Sequence, residues 1–271
     1  MAYGTENRDH LLNVPASRMG AFPDEPGHFL DWVGERVDRE NYPTEVAPGD
    51  FLPRWIYGEY ISSVLAEAQK NAAVGVELER IKGEVVDIED EMEGVRIRCG
   101  DGRSFLADRV VLAIGNLPGE YPMKKSLPGY HSQRYVHVPW RPGTLAGIPP
   151  TAEVLIVGAG LTAIDIILEL ESSGHTGTVH ALSRRGLRPQ LHRVGEPYRD
   201  FLAGEILPAD VLTLFRRIRR EVRIAAKAGI DWRPVVDAIR PRASELWKNL
   251  SWPERARFMR HVRPFREIHR H

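Results

Sequence analysis

Apolar residues fall into short runs and helical stripes along this chain, and the order of these patterns predicts an α/β fold. Val154–Val157 form an apolar run that leads into a glycine turn, and apolar residues at helical spacing follow at 164–170. Gly174 and Gly177 end that segment, and Thr178–Leu182 is a second short apolar run. A buried strand, a tight turn, a helix and a second strand form a parallel βαβ unit.

The same two periodicities predict a β-meander upstream and a helical region downstream. Turn residues and apolar runs predict strands at 84–90, 94–99 and 108–115, the last ending in glycine. Helical spacing predicts helices at 26–37, from about 53 to 70, at 210–228, at about 231–239 and at 252–262. Ser251 and Glu254 stand at capping-box spacing at the start of the last helix.

The turn after the first strand of the βαβ unit has the pattern G-x-G-x-x-A. Gly158 allows the sharp turn, Gly160 lets the backbone approach a pyrophosphate, and Ala163 lets the helix lie close to the strand. Leu161 and Thr162 begin the helix, whose unpaired N–H groups and partial positive charge suit phosphate groups. The pattern predicts a dinucleotide site; the alternative is a βαβ unit without a ligand.

The residues after the second strand of the unit indicate which dinucleotide binds. An acidic residue at this place would accept a hydrogen bond from the ribose 2′-hydroxyl of NAD. This chain has Ser183, Arg184 and Arg185 instead. Because arginine forms charge-assisted, bidentate bonds with phosphate, these residues predict recognition of the 2′-phosphate of NADP(H). An ordinary basic loop is the alternative interpretation.

Several separated motifs resemble one known group of proteins. The motifs that carry the resemblance are residues 10–19, 21–24, 51–54, 57–58, 108–116, 154–165 and 181–187. In these motifs the chain is similar to bacterial FAD/NAD(P)-binding oxidoreductases, a group that includes FAD- and NADPH-dependent N-hydroxylating monooxygenases such as aspartate N-monooxygenases. The resemblance implies a Rossmann-like flavoprotein with two dinucleotide sites.

This resemblance also implies a mechanism and a second set of site residues. NADPH reduces FAD, which then activates oxygen and oxidises a small molecule, an amine or an amino acid. Asn13, Val14 and Pro15, together with Gly115 and Asn116, are the residues expected beside the flavin. A plain loop with an Asx turn is the alternative for residues 13–15. The alternative for the whole chain is a non-catalytic NADP(H)-binding remnant, and no catalytic side chain is identified.

The chain departs from that group in one respect. Its members begin with a first G-x-G-x-x-G that binds the FAD pyrophosphate, whereas no such strand-turn-helix precedes Asn13. We therefore expect a piece of a longer flavoprotein, truncated at both ends. The expected domains are a partial FAD-binding domain with the β-meander at 1–116, a crossover at 117–150, an NADP-binding βαβ domain at 151–209 and a basic helical region at 210–271.

Composition narrows the remaining function classes. With 42% hydrophobic and 27% charged residues, no apolar run of membrane-spanning length and a single cysteine, Cys99, the sequence predicts a cytoplasmic protein without a disulfide. The histidines lack metal-ligand spacing, so no metal site is expected. Lys and Arg balance Asp and Glu at 37 each, and the excess of positive charge after residue 210 follows one face of an amphipathic helix. We expect neither a nucleic acid nor a membrane partner, and the sequence does not predict the oligomeric state.

Overall fold

The computed structural model describes residues 3–5, 7–37, 40–115, 128–141, 143–191 and 196–266. The chain forms two compact units. The first unit comprises Met1–Tyr60 and Pro139–His271, and the second unit is Ile61–Val138. These bounds differ from the four domains expected from the sequence, which remain a prediction.

The described residues contain five strands, eight α-helices and three short 3-10 helices. The strands are β1 (Val85–Glu91), β2 (Gly94–Cys99), β3 (Ser104–Ala107), β4 (Val154–Val157) and β5 (Val179–Leu182). The helices are α1 (His28–Gly34), α2 (Arg54–Lys70), α3 (Leu161–Ser172), α4 (Val211–Lys227), α5 (Trp232–Asp237), α6 (Ala243–Asn249), α7 (Trp252–His261) and α8 (Arg263–Arg266). The predicted order and parallel pairing of the βαβ unit are confirmed, because β4 pairs in parallel with β5 and α3 connects them. The predicted burial of the first strand is wrong, since Leu155 and Val157 of β4 are 61% and 51% exposed.

An aromatic and aliphatic core holds α1 against the start of α2 in the first unit. Phe29 and Val33 of α1, and Ile56 and Tyr60 of α2, are completely buried. Burial of Tyr60 requires a partner for its hydroxyl, and the N–H of Ala21 donates to that oxygen at 2.9 Å. This packing fixes the position of the first turn of α2.

A short loop before α1 is fastened at both ends to the segment that leads into α2. The N–H of Leu12 donates to the carbonyl of Leu52 at 2.8 Å, and the N–H of Ala16 donates to that of Asp50 at 2.8 Å. Leu12 and Ala16 are buried, whereas Asn13 between them is exposed. The backbone of residues 13–15 is therefore held between two anchor points.

The C-terminal helices pack around a small leucine cluster in the first unit. Leu202, Leu214 and Leu246 are its buried members. The Asp210 carboxylate caps α4 by accepting a hydrogen bond from the N–H of Thr213 at 2.8 Å. The predicted helices at 210–228, 231–239 and 252–262 correspond to α4, α5 and α7, whereas α6 was not predicted.

The capping box predicted at α7 is wrong. Ser251 occupies the N-cap position but makes no side-chain capping hydrogen bond. Glu254 accepts from the N–H of Val211 at 2.8 Å and from Arg257 instead. Its carboxylate is therefore used in a contact to the first turn of α4.

The second unit contains the predicted β-meander. β2 pairs antiparallel with both β1 and β3, and Cys99 is buried at the end of β2 as a free thiol. The strand predicted at 108–115 is wrong: the structure assigns no strand there, and Val111 and Ile114 are 88% and 68% exposed. None of the helices in the described part of the chain is long and apolar enough to cross a membrane.

Candidate nucleotide-binding site

The glycine turn and the serine–arginine segment lie at the same edge of the β4–β5 sheet. Val157 of β4 stands opposite Leu182 of β5, so the chain leaves both strands at the same edge. The N–H of Gly158 donates to the carbonyl of Leu182 at 2.7 Å and ties the two strand ends together. In α/β sheets this carboxyl edge is where nucleotides bind.

The two glycines of the turn leave an open cradle above the helix. Gly158 has φ of +123°, which favours glycine, whereas Gly160 is extended at φ −89° and ψ −168°. No atom lies within 4 Å of the place that a Cβ would occupy at either residue. A side chain at Gly160 would therefore not collide with the turn backbone and would instead occupy the open space.

Helix α3 begins at this cradle. The N–H groups of Ala163 and Ile164 both donate to the carbonyl of Gly160, at 3.0 and 3.4 Å. Leu161 and Thr162 precede these donors, so their N–H groups have no carbonyl within the helix to bond. Ala163 in the first turn of α3 is 5% exposed, as expected for a small residue that lets the helix lie close to its neighbours.

Beside the cradle, β5 ends in a hydroxyl and two guanidinium groups. The Ser183 hydroxyl oxygen is buried and has no hydrogen-bond partner among the described residues. Arg184 and Arg185 are exposed, and the Arg185 guanidinium lies 5.7 Å from the ring centre of Phe265. A buried hydroxyl without a partner is costly in a folded protein, and a phosphate oxygen would provide one.

The residues expected beside the flavin fall in different parts of the fold. Asn13, Val14 and Pro15 form the anchored loop of the first unit. Gly115 belongs to the second unit and has φ of +68°. Asn116 lies outside the described residues.

A polar cluster on α3 was not predicted from the sequence. The Asp165 carboxylate forms a two-point ion pair with Arg54, with N–O distances of 2.8 and 3.0 Å. His10 is buried and lies beside the pair, with Nε2 3.2 Å from the Asp165 carbonyl oxygen. An acidic residue within the apolar pattern of α3 was the available signal, since a partly buried carboxylate requires a partner.

Comparisons with known proteins support the class suggested by this geometry. Residues 1–117 match the model of a family described as FAD-NAD(P)-binding. Over 210 residues the chain is 25% identical to nitrosuccinic acid synthase npaA of Aspergillus oryzae (strain ATCC 42149 / RIB 40), covering 67% of this chain and 32% of that protein. The chain thus spans about a third of the length of this relative. The family match supports FAD and NAD(P)H as cofactors of this chain.

The family match and the geometry of the strand edge cover different parts of the chain. The family match includes residues 13–15 and ends before the glycine turn at Gly158. The geometry of the nucleotide edge therefore supplies independent information about residues 154–185. Among the residues that the structure describes, no group of three or more His, Cys, Asp or Glu side chains could hold a metal ion.

Proposed function

We propose that this chain provides the NADPH-binding part, and the flavin-side loop, of an FAD-dependent monooxygenase that oxidises an amine. The observation that carries the proposal is the shared edge of β4 and β5. There an open glycine cradle and a helix N-terminus stand beside the Ser183 hydroxyl, which has no hydrogen-bond partner among the described residues. This arrangement suits a pyrophosphate at the turn and a 2′-phosphate at the end of β5.

Different residues of this edge would bind different phosphate groups of the dinucleotide. The N–H groups of Leu161 and Thr162 would bind the pyrophosphate at the start of α3. Ser183, Arg184 and Arg185 would bind the 2′-phosphate, which selects NADPH over NADH. The bound cofactors supply hydride transfer and oxygen activation, and the chain positions them.

The substrate class rests on two similarities. The sequence resembles N-hydroxylating monooxygenases, and the fungal relative is named as a nitrosuccinic acid synthase. Nitrosuccinic acid is succinic acid with a nitro group on carbon, and aspartic acid is succinic acid with an amino group on carbon. An amino dicarboxylic acid is therefore the first substrate to test for this chain.

Anaerobic reduction of bound flavin tests the cofactor part of the proposal. The purified protein is loaded with FAD, and loss of the visible flavin absorbance is followed after mixing with NADPH or NADH. We expect rapid bleaching with NADPH and a much slower change with NADH at the same concentration. Equal rates with the two nucleotides would contradict the role of Ser183, Arg184 and Arg185.

Oxygen consumption and product analysis test the substrate part. With NADPH and aspartate we expect an N-oxygenated product detectable by mass spectrometry, whereas succinate, which lacks the amine, gives none. Flavin reduction without an N-oxygenated product from any amine would leave a reductase and contradict the monooxygenase assignment.

The alternative is a protein that binds NADP(H) without turnover. One observation favours it: the edge formed by residues 154–185 is complete within the first unit and requires no flavin. A protein that binds NADPH but takes up no FAD would support this alternative.

A further inference from the structure

A partly buried ion pair connects the start of α2 with the nucleotide-binding helix. The Arg54 guanidinium binds both carboxylate oxygens of Asp165, at 2.8 and 3.0 Å. The two side chains are 23% and 21% exposed, so solvent screens the pair only in part. Two parallel N–H···O bonds also fix the orientation of both groups.

His10 adds a second connection to the same helix. Its Nε2 lies 3.2 Å from the Asp165 carbonyl oxygen and 3.5 Å from a Glu169 carboxylate oxygen. Its Nδ1 lies 2.9 Å from the Thr5 hydroxyl. A ring with its proton on Nε2 donates to the carbonyl and accepts from Thr5, so both nitrogens have partners.

The other side of this cluster leads directly to the anchored loop. The N–H of Arg54 donates to the carbonyl of His10 at 2.8 Å, two residues before the first anchor of the loop at Leu12. The second anchor is Ala16, whose N–H bonds the Asp50 carbonyl. One continuous set of hydrogen bonds therefore runs from α3 to the loop that contains Asn13.

We propose that the polar link formed by His10, Arg54, Asp165 and Glu169 positions the Asn13–Pro15 loop relative to the nucleotide-binding helix. Asp165 lies about one and a half turns after Gly160 on α3, so the link acts on the same rigid element that carries the phosphate cradle. This inference rests on the proposed function for its catalytic consequence, but the link itself is tested without any cofactor.

The proposed consequence concerns the distance over which a hydride is transferred. Reacting atoms must lie about 3–3.5 Å apart, and a displacement of about 1 Å can cost about a hundredfold in rate. The loop is expected beside the flavin, and α3 carries the nucleotide cradle. A loose link would thus slow flavin reduction while leaving the phosphate contacts intact.

The test compares Asp165→Asn with Glu171→Gln. Both variants remove one carboxylate from α3, but Glu171 is exposed and its side chain belongs to no ion pair within the described residues. Because Asp165→Asn leaves Arg54 partly buried without a counter-charge, the double variant Arg54→Gln/Asp165→Asn serves if the single variant does not fold.

Hydrogen exchange of the cofactor-free protein is the first measurement. The amides of Leu12 and Ala16 report on the anchoring of the loop. We expect them to exchange at least about tenfold faster in Asp165→Asn than in Glu171→Gln, at a temperature where both variants are folded. Equal exchange in the two variants would overturn the proposed link, whatever the protein catalyses.

Flavin reduction is the second measurement. In the FAD-loaded protein we expect Asp165→Asn to lower the reduction rate at saturating NADPH about ten- to a hundredfold. The Kd for NADPH should stay within about threefold of the unmodified value, and Glu171→Gln should change neither quantity. An unchanged reduction rate, or an equal loss in affinity and rate, would overturn the positioning role. If the unmodified protein is not reduced by NADPH at all, the proposed function fails, and the exchange measurement still decides whether the link exists.

Discussion

Replacing both arginines at the end of β5 should remove most of the selectivity of this site for NADPH over NADH. In the double variant Arg184→Ala/Arg185→Ala we expect weaker NADPH binding and nearly unchanged NADH binding. NADH lacks the 2′-phosphate that these guanidinium groups would contact. The Ser183 hydroxyl remains in the variant, so some preference for NADPH should survive.

The size of the effect follows from the exposure of the two side chains. A charge-assisted hydrogen bond contributes about 1.5–3 kcal/mol, and every 1.4 kcal/mol corresponds to about tenfold in Kd. Arg184 and Arg185 are exposed, so screening by salt places each contact near the lower limit. We therefore expect about a tenfold loss if one guanidinium contacts the phosphate and about a hundredfold loss if both do. The loss should shrink as the salt concentration rises.

Fluorescence or calorimetric titration with NADPH and NADH measures the effect. The matched control is Arg220→Ala/Arg223→Ala, which removes two exposed positive charges from α4. The control should change both affinities little. A similar loss in the control and in the Arg184/Arg185 variant would mean that only overall charge matters. Equal affinities of the unmodified protein for the two nucleotides would refute the reasoning directly.

Three further predictions concern the cradle, a helix cap and an exposed ion pair. Gly160→Val should abolish NADPH binding by filling the open cradle, with circular dichroism unchanged; retained affinity would contradict the site. Asp210→Ala should lower the melting temperature by about 2–4 °C because the α4 cap is lost, whereas Asp210→Ser should recover most of it. The hydrogen bonds from Arg96 lower the pKa of Glu91. This pair therefore stabilises the β-meander at pH values above the ordinary glutamate pKa of about 4.3. That stabilisation is lost as the pH falls through the lowered pKa of Glu91. NMR titration should show an acid-shifted midpoint for Glu91 that returns upward in Arg96→Gln, and an unchanged midpoint would contradict the pairing.

Local sequence patterns predicted the order and pairing of the βαβ unit because every determinant lies within about thirty residues. The apolar runs of β4 and β5, the glycine turn and the small Ala163 all act on near neighbours. The glycine turn is a weak signal by itself, and the apolar run before it and the helical pattern after it supply the context that it needs. The ligand itself remains a prediction, as do the residues assigned to it.

Patterns that depend on distant partners were predicted poorly. The apolar run at 108–115 favours a buried segment. A strand, however, needs a neighbouring strand with matching hydrogen bonds, and the sequence alone does not identify one. Glu254 has the spacing of a capping residue, but its carboxylate accepts a hydrogen bond from the N–H of Val211 in the first turn of α4, forty-three residues away in sequence. For Glu254 a tertiary contact therefore decided the outcome.

The Arg54–Asp165 pair shows the same limit within the candidate site. Each residue belongs to a motif that the sequence analysis recognised, but the two are separated by 111 positions. A charged residue in an apolar helix predicts that a partner exists and gives no indication of which one.

The division of the chain into two units affects the order in which its parts can fold during synthesis. The first unit is discontinuous, because Ile61–Val138 separates its two segments. At about 5–20 residues per second, the ribosome adds Asp165 roughly 5–20 s after Arg54. The second unit becomes complete in sequence late in this interval, when Val138 has been added, whereas Arg54 and His10 have their partners on α3 only after Asp165 has been added. The anchored loop should therefore reach its final position among the last events of folding, and pauses in translation between the two segments should affect the first unit more than the second.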